Sequence, residues 1–307
     1  MSRPRRVALA LGSGGARGYA HIGAIQVLEE RGFEVVAVAG SSMGALVGGV
    51  MAAGRLEAFT EWAVGLKQRD VLRLIDPAWA SAGAMSADRL INHIGGFLGD
   101  ADIEELPIPY TAVATDIVAR REVWFQKGPL RSAVRASIAI PGVITPLAVD
   151  GRLLADGGLL NPVPIEPTAA AGADLTVAVS LLGRRPAHEP AGPVRVAAPR
   201  WFDDLPDRLR HALHNLTGRA AGAEPPATPA HTAGPPRSDD LRIAGVLAMS
   251  LDAMQDLIVR YRMAGLPPDV HVAVPVSAGG VMDFHRAADL IAIGRELTAR
   301  ALDDAGH

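Results

Sequence analysis

Glu34-Val35-Val36-Ala37-Val38-Ala39 runs into Gly40-Ser41-Ser42-Met43-Gly44 and out through Ala45-Leu46-Val47-Gly48-Gly49-Val50-Met51-Ala52-Ala53. The apolar β-branched run predicts a buried strand, the small-residue stretch predicts a helix, and G-x-S-x-G joins them. A turn this sharp leaves no room for a Cβ at the flanking positions, which Gly40 and Gly44 satisfy, and it pushes Ser42 out of the bend. Ser42 then stands at a helix N-terminus, where unpaired N–H groups and the positive dipole end favour developing negative charge. The motif by itself arises by chance in a chain with 33 glycines; the strand before it and the helix after it give it meaning.

Upstream, Arg6-Val7-Ala8-Leu9-Ala10-Leu11 reads as another buried strand. It is followed by Gly12-Ser13-Gly14-Gly15-Ala16-Arg17-Gly18 and a helix through His21-Ile22-Gly23-Ala24-Ile25-Gln26-Val27-Leu28. A glycine-rich loop between strand and helix presents bare amides suited to a phosphate or an oxyanion. A dinucleotide fingerprint is the rival reading. Against it, the third glycine (Gly12, Gly14, Gly18) is one place late, and Glu34 lies at the start of the second strand instead of its carboxyl end. A third element, Leu153-Leu154-Ala155-Asp156-Gly157-Gly158-Leu159-Leu160-Asn161-Pro162, is an apolar strand closed by Asp-Gly-Gly, alone no more than a turn signal.

Together these three elements resemble the patatin-like phospholipases, whose pattern is G-G-x-R/K-G, then G-x-S-x-G, then D-G-G or D-G-A. The similarity is to bacterial single-domain members related to the catalytic domain of neuropathy target esterase. It takes in His21-Ile22-Gly23, Ala114-Thr115-Asp116, Arg135-Ala136-Ser137-Ile138-Ala139-Ile140-Pro141-Gly142 and Asp283-Phe284, and covers roughly residues 6–183 and 241–302. The resemblance implies a three-layer α/β fold and a lipid acyl hydrolase acting on phospholipid, lysophospholipid or a related acyl ester. It makes Ser42 the nucleophile and Asp156 its base, with Gly157 and Gly158 completing the Asp-Gly-Gly motif. Gly14, Gly15, Ala16 and Arg17 form the oxyanion loop, Arg17 holding the family's basic position. No cofactor and no metal follow from it.

The chemistry is consistent on its own terms. Acyl transfer needs an activated hydroxyl, a proton acceptor and donors aimed at the oxyanion. A carboxylate with a pKa of ~3.9 is a weak base toward serine, so a Ser-Asp dyad requires a desolvated Asp156 or a field that eases ionisation of Ser42. The enzyme alternative is a Ser-Asp-His triad of the α/β-hydrolase kind using His271 or His285. His271 sits in the strand-like Val270-His271-Val272-Ala273-Val274, where a core or edge position explains it. His285 begins the terminal helix, as a solvated or capping residue, and His21 is read as structural.

At 307 residues, with 49% hydrophobic and 21% charged, the chain can bury one large core. A net charge of −3 offers nothing to nucleic acid. Cysteine is absent and the nine histidines lack ligand spacing, so neither disulfides nor a metal site is expected. The basic start, Met1 to Arg6, precedes an apolar run too short for a signal peptide. Val35 to Gly54 is uncharged and as long as a membrane span, but glycines and serines at its centre make it strand-turn-helix. The expectation is a cytoplasmic protein with peripheral contact at the inner face of the membrane, in an oligomeric state the sequence leaves open.

Alternating periods then predict helices over residues 56–74, 86–98 and 128–139, strands over 110–116 and 175–181, and a hairpin partner over 121–125: α/β with a largely parallel sheet covered by helices on both faces. Active-site loops gather at strand carboxyl ends, here Leu11, Ala39 and Ala155. The whole chain, 1–307, reads as one domain interrupted by a flexible Pro/Ala-rich insert at about 184–240. Within the insert, residues 200–219 place Trp201, Phe202, Leu205, Leu209 and Leu213 at helical spacing, as a core helix, a lid or a membrane-surface helix.

Overall fold

A computed structural model describes residues 3–74, 88–141, 144–183 and 243–307. The strands are β1 (Arg6–Leu11), β2 (Glu34–Ser41), β3 (Tyr110–Asp116), β4 (Arg121–Phe125), β5 (Leu147–Val149), β6 (Arg152–Asp156), β7 (Leu175–Gly183) and β8 (Val270–Pro275). The α-helices among the described residues are α1 (Ala20–Glu30), α2 (Met43–Ala52), α3 (Leu56–Gly65), α4 (Gln68–Leu74), α5 (Asp88–Leu98), α6 (Leu130–Ser137), α7 (Ile243–Gly265) and α8 (Ala287–Asp304). Residues gather into two compact units, Met1–Arg185 with Asp252–His307, and Pro186–Leu251. Of the second, only residues 243–251, in α7, are described. The anticipated helix over 200–219 and the Pro/Ala-rich stretches beside it lie outside the described residues.

One mixed sheet organises the first unit. β3, β2, β1, β7 and β8 pair in parallel, while β4, β5 and β6 join antiparallel. The parallel strands are near-continuous apolar runs because both faces are covered. Side chains alternate along β1: Val7, Leu9 and Leu11 pack in the core shared with α1, α2 and α8. Ala10, on the other face, packs with Ala178 and with Val259 of α7. Helices therefore cover both faces, as expected. α1 lies along α8 at unusually close range; a Cβ on Gly23 would strike the Ile291 carbonyl, and one on Gly294 the Ala20 carbonyl.

Two of the anticipated helices differ in extent. The helix expected over 56–74 is broken at Leu66, which is extended (ψ 127). Gly65 is a poor helix former, and Asp70 accepts a hydrogen bond from the Lys67 amide at 3.1 Å, a capping contact that starts α4 afresh. The helix expected to reach Ala139 stops at Ser137, whose hydroxyl is engaged at the site described next.

β3 explains how distant segments meet. β4 runs along one edge of it, pairing with Ala112 to Asp116. The other edge is shared: Tyr110 to Val113 pair with β2, and Ala114 to Asp116 with β6. Ser41, the last residue of β2, faces Val113, and Asp156, the last of β6, faces Ala114. The two strands approach along one line from opposite directions and end nose to nose.

Candidate active site

Ser42 is buried and has φ 55 and ψ −122, a conformation that costs a non-glycine residue about 1–3 kcal/mol. The surrounding backbone imposes it. A Cβ on Gly40 would strike the Gly44 carbonyl group, and one on Gly44 the Leu11 carbonyl, so both glycines are required by close approach. The Ser42 amide donates to Ser137 Oγ at 2.9 Å, and Ser137 Oγ donates to the Val113 carbonyl at 2.6 Å. Ser42 caps α2, whose ten residues are all buried, which keeps the helix's positive end out of solvent and lightly screened.

Asp156 is also buried. Its Oδ1 accepts the Gly158 amide at 2.7 Å, while Oδ2 completes no regular hydrogen bond. Burial pushes the carboxyl up to about 6, opposed by the neighbouring Ser42 hydroxyl and by Gly158. Desolvation makes Asp156 a stronger base than an ordinary carboxylate, while the helix end at Ser42 favours negative charge on the serine. If the ionised carboxylate is the base, kcat/KM on a soluble ester is expected to fall with unit slope below about pH 6 and to plateau above it. A profile flat from pH 4.5 to 8 would remove Asp156 from that role.

Of the expected oxyanion positions, Ala16 donates its amide to the Val281 carbonyl at 2.8 Å. The amides of Gly14 and Gly15 form no hydrogen bond among the described residues. Gly15 takes φ 58, and a Cβ there would strike Val281. Arg17 is buried and anchors the loop: Nε donates to the Gly14 carbonyl at 3.2 Å and a terminal nitrogen to the Val276 carbonyl at 3.4 Å. Burial lowers its pKa, and Asp252 counteracts this. His21 is likewise structural, its Nε2–H donating to the Gly12 carbonyl at 2.8 Å while burial lowers the ring to about 4 and keeps it neutral.

The rival readings fit less well. Gly12 and Ser13 donate to the Val179 and Pro162 carbonyls, so with Ala16 the loop lacks the run of free amides a dinucleotide would need. The late third glycine has a packing reason: a Cβ on Gly18 would overlap the Met43 side chain of the elbow helix. His271 is exposed on β8, the sheet's edge strand. His285 lies half-buried in a 3₁₀ turn ahead of α8. Neither histidine hydrogen-bonds to Asp156 or Ser42.

The sequence reading missed a support behind Ser42 and Asp156. Ser41 Oγ donates to the Asn161 carbonyl at 2.6 Å, and the Asn161 amide nitrogen donates to the Gly157 carbonyl at 2.9 Å, joining the strand before Ser42 to the turn after Asp156. The Asn161 side chain donates to Glu122 and Glu166, both of which bind Arg262 of α7. Asn161 within Leu160-Asn161-Pro162 was visible only as a turn residue.

A cavity of about 640 Å³, counted to its open mouth, begins at Ser42 and Gly15. Beyond them its described walls are almost wholly apolar, with Tyr19, Phe59, Trp62 and Phe284 among the aromatic residues and Ile138, Ile140 and Ile144 among the aliphatic ones.

The family model described as patatin-like phospholipase matches residues 9–169. An uncharacterized NTE family protein of Mycobacterium tuberculosis is 46% identical across 97% of this chain and 91% of its own length. Human patatin-like phospholipase domain-containing protein 6 is 36% identical across 57% of this chain and 13% of its own length. Among solved structures, VipD from Legionella pneumophila aligns with a TM-score of 0.55 at 14% identity, over 99% of this chain and 67% of VipD, a likeness of fold.

Proposed function

Because the chain belongs to the patatin-like phospholipase family, whose membership implies lipid acyl hydrolysis, we propose that it is a phospholipase A or lysophospholipase-type ester hydrolase. It works through a Ser42-Asp156 dyad and an acyl-enzyme. The observation that carries the reading is the apolar cavity opening on a strained, buried serine. Ser42 Oγ attacks the acyl carbonyl carbon as its proton passes to Asp156, and the N–H groups of Gly14 and Gly15 receive the developing oxyanion. Collapse expels the alcohol or lysolipid, which takes the proton from Asp156 and leaves the acyl group on Ser42. Water then adds to the ester carbon with its proton going to Asp156. The second collapse releases the fatty acid and returns a proton to Ser42.

The cavity is read as the acyl-chain site, with the chain running among Phe59, Trp62 and Ile144. Residues 1–307 are read as one catalytic domain interrupted by an insert at about 184–240, and peripheral membrane contact brings the site to its substrate. No helix of the described residues is long and apolar enough to cross a membrane.

A fluorophosphonate probe is expected to label the wild-type protein at Ser42 and to leave Ser42→Ala unmodified. With p-nitrophenyl esters of increasing length, kcat/KM should climb steeply, since each fully buried methylene contributes ~0.8 kcal/mol, close to fourfold. A profile that is flat from acetyl to octanoyl would rule out the cavity as the acyl site.

A further inference from the structure

The hairpin turns joining β3 to β4 and β5 to β6 lie side by side. The Ile117 amide donates to the Leu153 carbonyl at 3.0 Å, and Asp116 faces both Arg121 and Leu154. From there β6 runs straight back to Asp156, so the turns lie beyond the dyad along one strand, about 13 Å further on for a rise of about 3.3 Å per residue. β2 ends at Ser41 on this same line, so the turns lie on the far side of the Ser42–Asp156 junction from β2.

These turns are preformed. Asp116 Oδ1 accepts the amides of Val118 at 3.2 Å and Ala119 at 3.0 Å. Arg120, Asp150 and Gly151 hold left-handed conformations, with φ 54, 49 and 72. Tight turns ordinarily present Gly, Asn, Asp or Ser. Here Ile117 and Val118 are 38% and 74% exposed. Arg120, Arg121 and Arg152 are exposed, and none is paired with a described carboxylate. Of the described acids in these turns and the strands beside them, Asp116 is buried and occupied as a cap, Glu122 is bound to Arg262, and Asp150 is exposed.

We propose that these paired turns, residues 117–121 and 150–152, rest on an anionic phospholipid surface and set the cavity against it. Two apolar side chains are too few to form the core of a protein interface. Apolar tips ringed by unpaired arginines suit a headgroup layer, which accepts the side chains and attracts the charges. This rests on the lipid-hydrolase reading.

The test is sedimentation of the full-length protein with vesicles of phosphatidylserine and phosphatidylcholine, or of phosphatidylcholine alone, with hydrolysis of a short soluble ester measured in parallel. Wild type should favour the phosphatidylserine vesicles. Val118→Asp and the double variant Arg121→Glu, Arg152→Glu should each bind them at least about tenfold less tightly, with melting temperature and soluble-ester turnover unchanged. Wild-type binding by the variants, equal affinity of wild type for both vesicles, or no wild-type binding to either would overturn the proposal. Absence of wild-type ester hydrolysis would instead overturn the enzymatic reading, leaving the binding result to be judged separately.

Discussion

Ser42→Ala and Asp156→Asn are each expected to lower ester hydrolysis by about 10⁴-fold, with the double variant scarcely worse than either, because a nucleophile and its base act as one unit. Stability separates them from mutations that merely damage the fold. Asp156 has its pKa raised to about 6 by burial, against an ordinary value of ~3.9. Its contribution to folding is therefore fully favourable below about pH 4, is lost as the pH rises through about 6, and stays lost above. Asparagine carries no such charge, so Asp156→Asn should melt higher than wild type at pH 8, by an amount of order 1–3 kcal/mol, and the gain should vanish near pH 4. Ser42→Ala keeps the strained backbone and should change stability little. Calorimetry at the two pH values, beside steady-state turnover, decides the matter. Asp156→Asn that is inactive and less stable at pH 8 would mean that the carboxylate is structural.

Gly15→Ala is expected to reduce kcat by about 10²–10³-fold, the usual loss when one oxyanion donor is displaced. An alanine there must hold φ 58 and place its Cβ 2.5 Å from the Val281 carbonyl oxygen. The loop must shift, and the Ala16–Val281 hydrogen bond shifts with it. Gly32→Ala is the control. Gly32 has φ 75 and nothing within 4 Å, so it suffers the same backbone penalty, about 1 kcal/mol, with no displacement of the loop. Wild-type kcat in Gly15→Ala would place the oxyanion donors elsewhere. Gly14 is a poorer probe, because its Cβ would press on Leu181 at 2.6 Å and disturb the core as well.

The parts of the site that were legible from sequence are those where geometry forbids a side chain. Gly40 and Gly44 stand where backbone meets backbone, and such constraints write themselves into residue identity. The alternation of buried strands and helices was legible for a similar reason, since a core selects its residues face by face. The contacts that support the dyad left no local mark. Ser137 was one polar residue in an apolar run, and Asn161 looked like any turn asparagine. Glu122, Glu166 and Arg262 come together only through the folding of β4 and α7. The glycine-rich loop shows the limit most clearly: Ala16 has a suitable amide by position, and only the presence of Val281 shows that the amide is already engaged.

The close crossing of α1 and α8 bears on how the molecule is made. β1 is made before both of its neighbours in the sheet, β2 and β7, and α1 finds its partner only when residues 287–304 appear. Until then the face of α1 that carries Ala20 and Gly23 has nothing to lie against, and the nascent chain carries an open apolar flank. Contacts of such long sequence separation are slow to form and leave intermediates prone to aggregation. α8 thus works as a latch. A ribosome stalled before it should hold a protease-sensitive chain, and the resistant state should arise abruptly on completion of α8 instead of growing by stages as the strands are added.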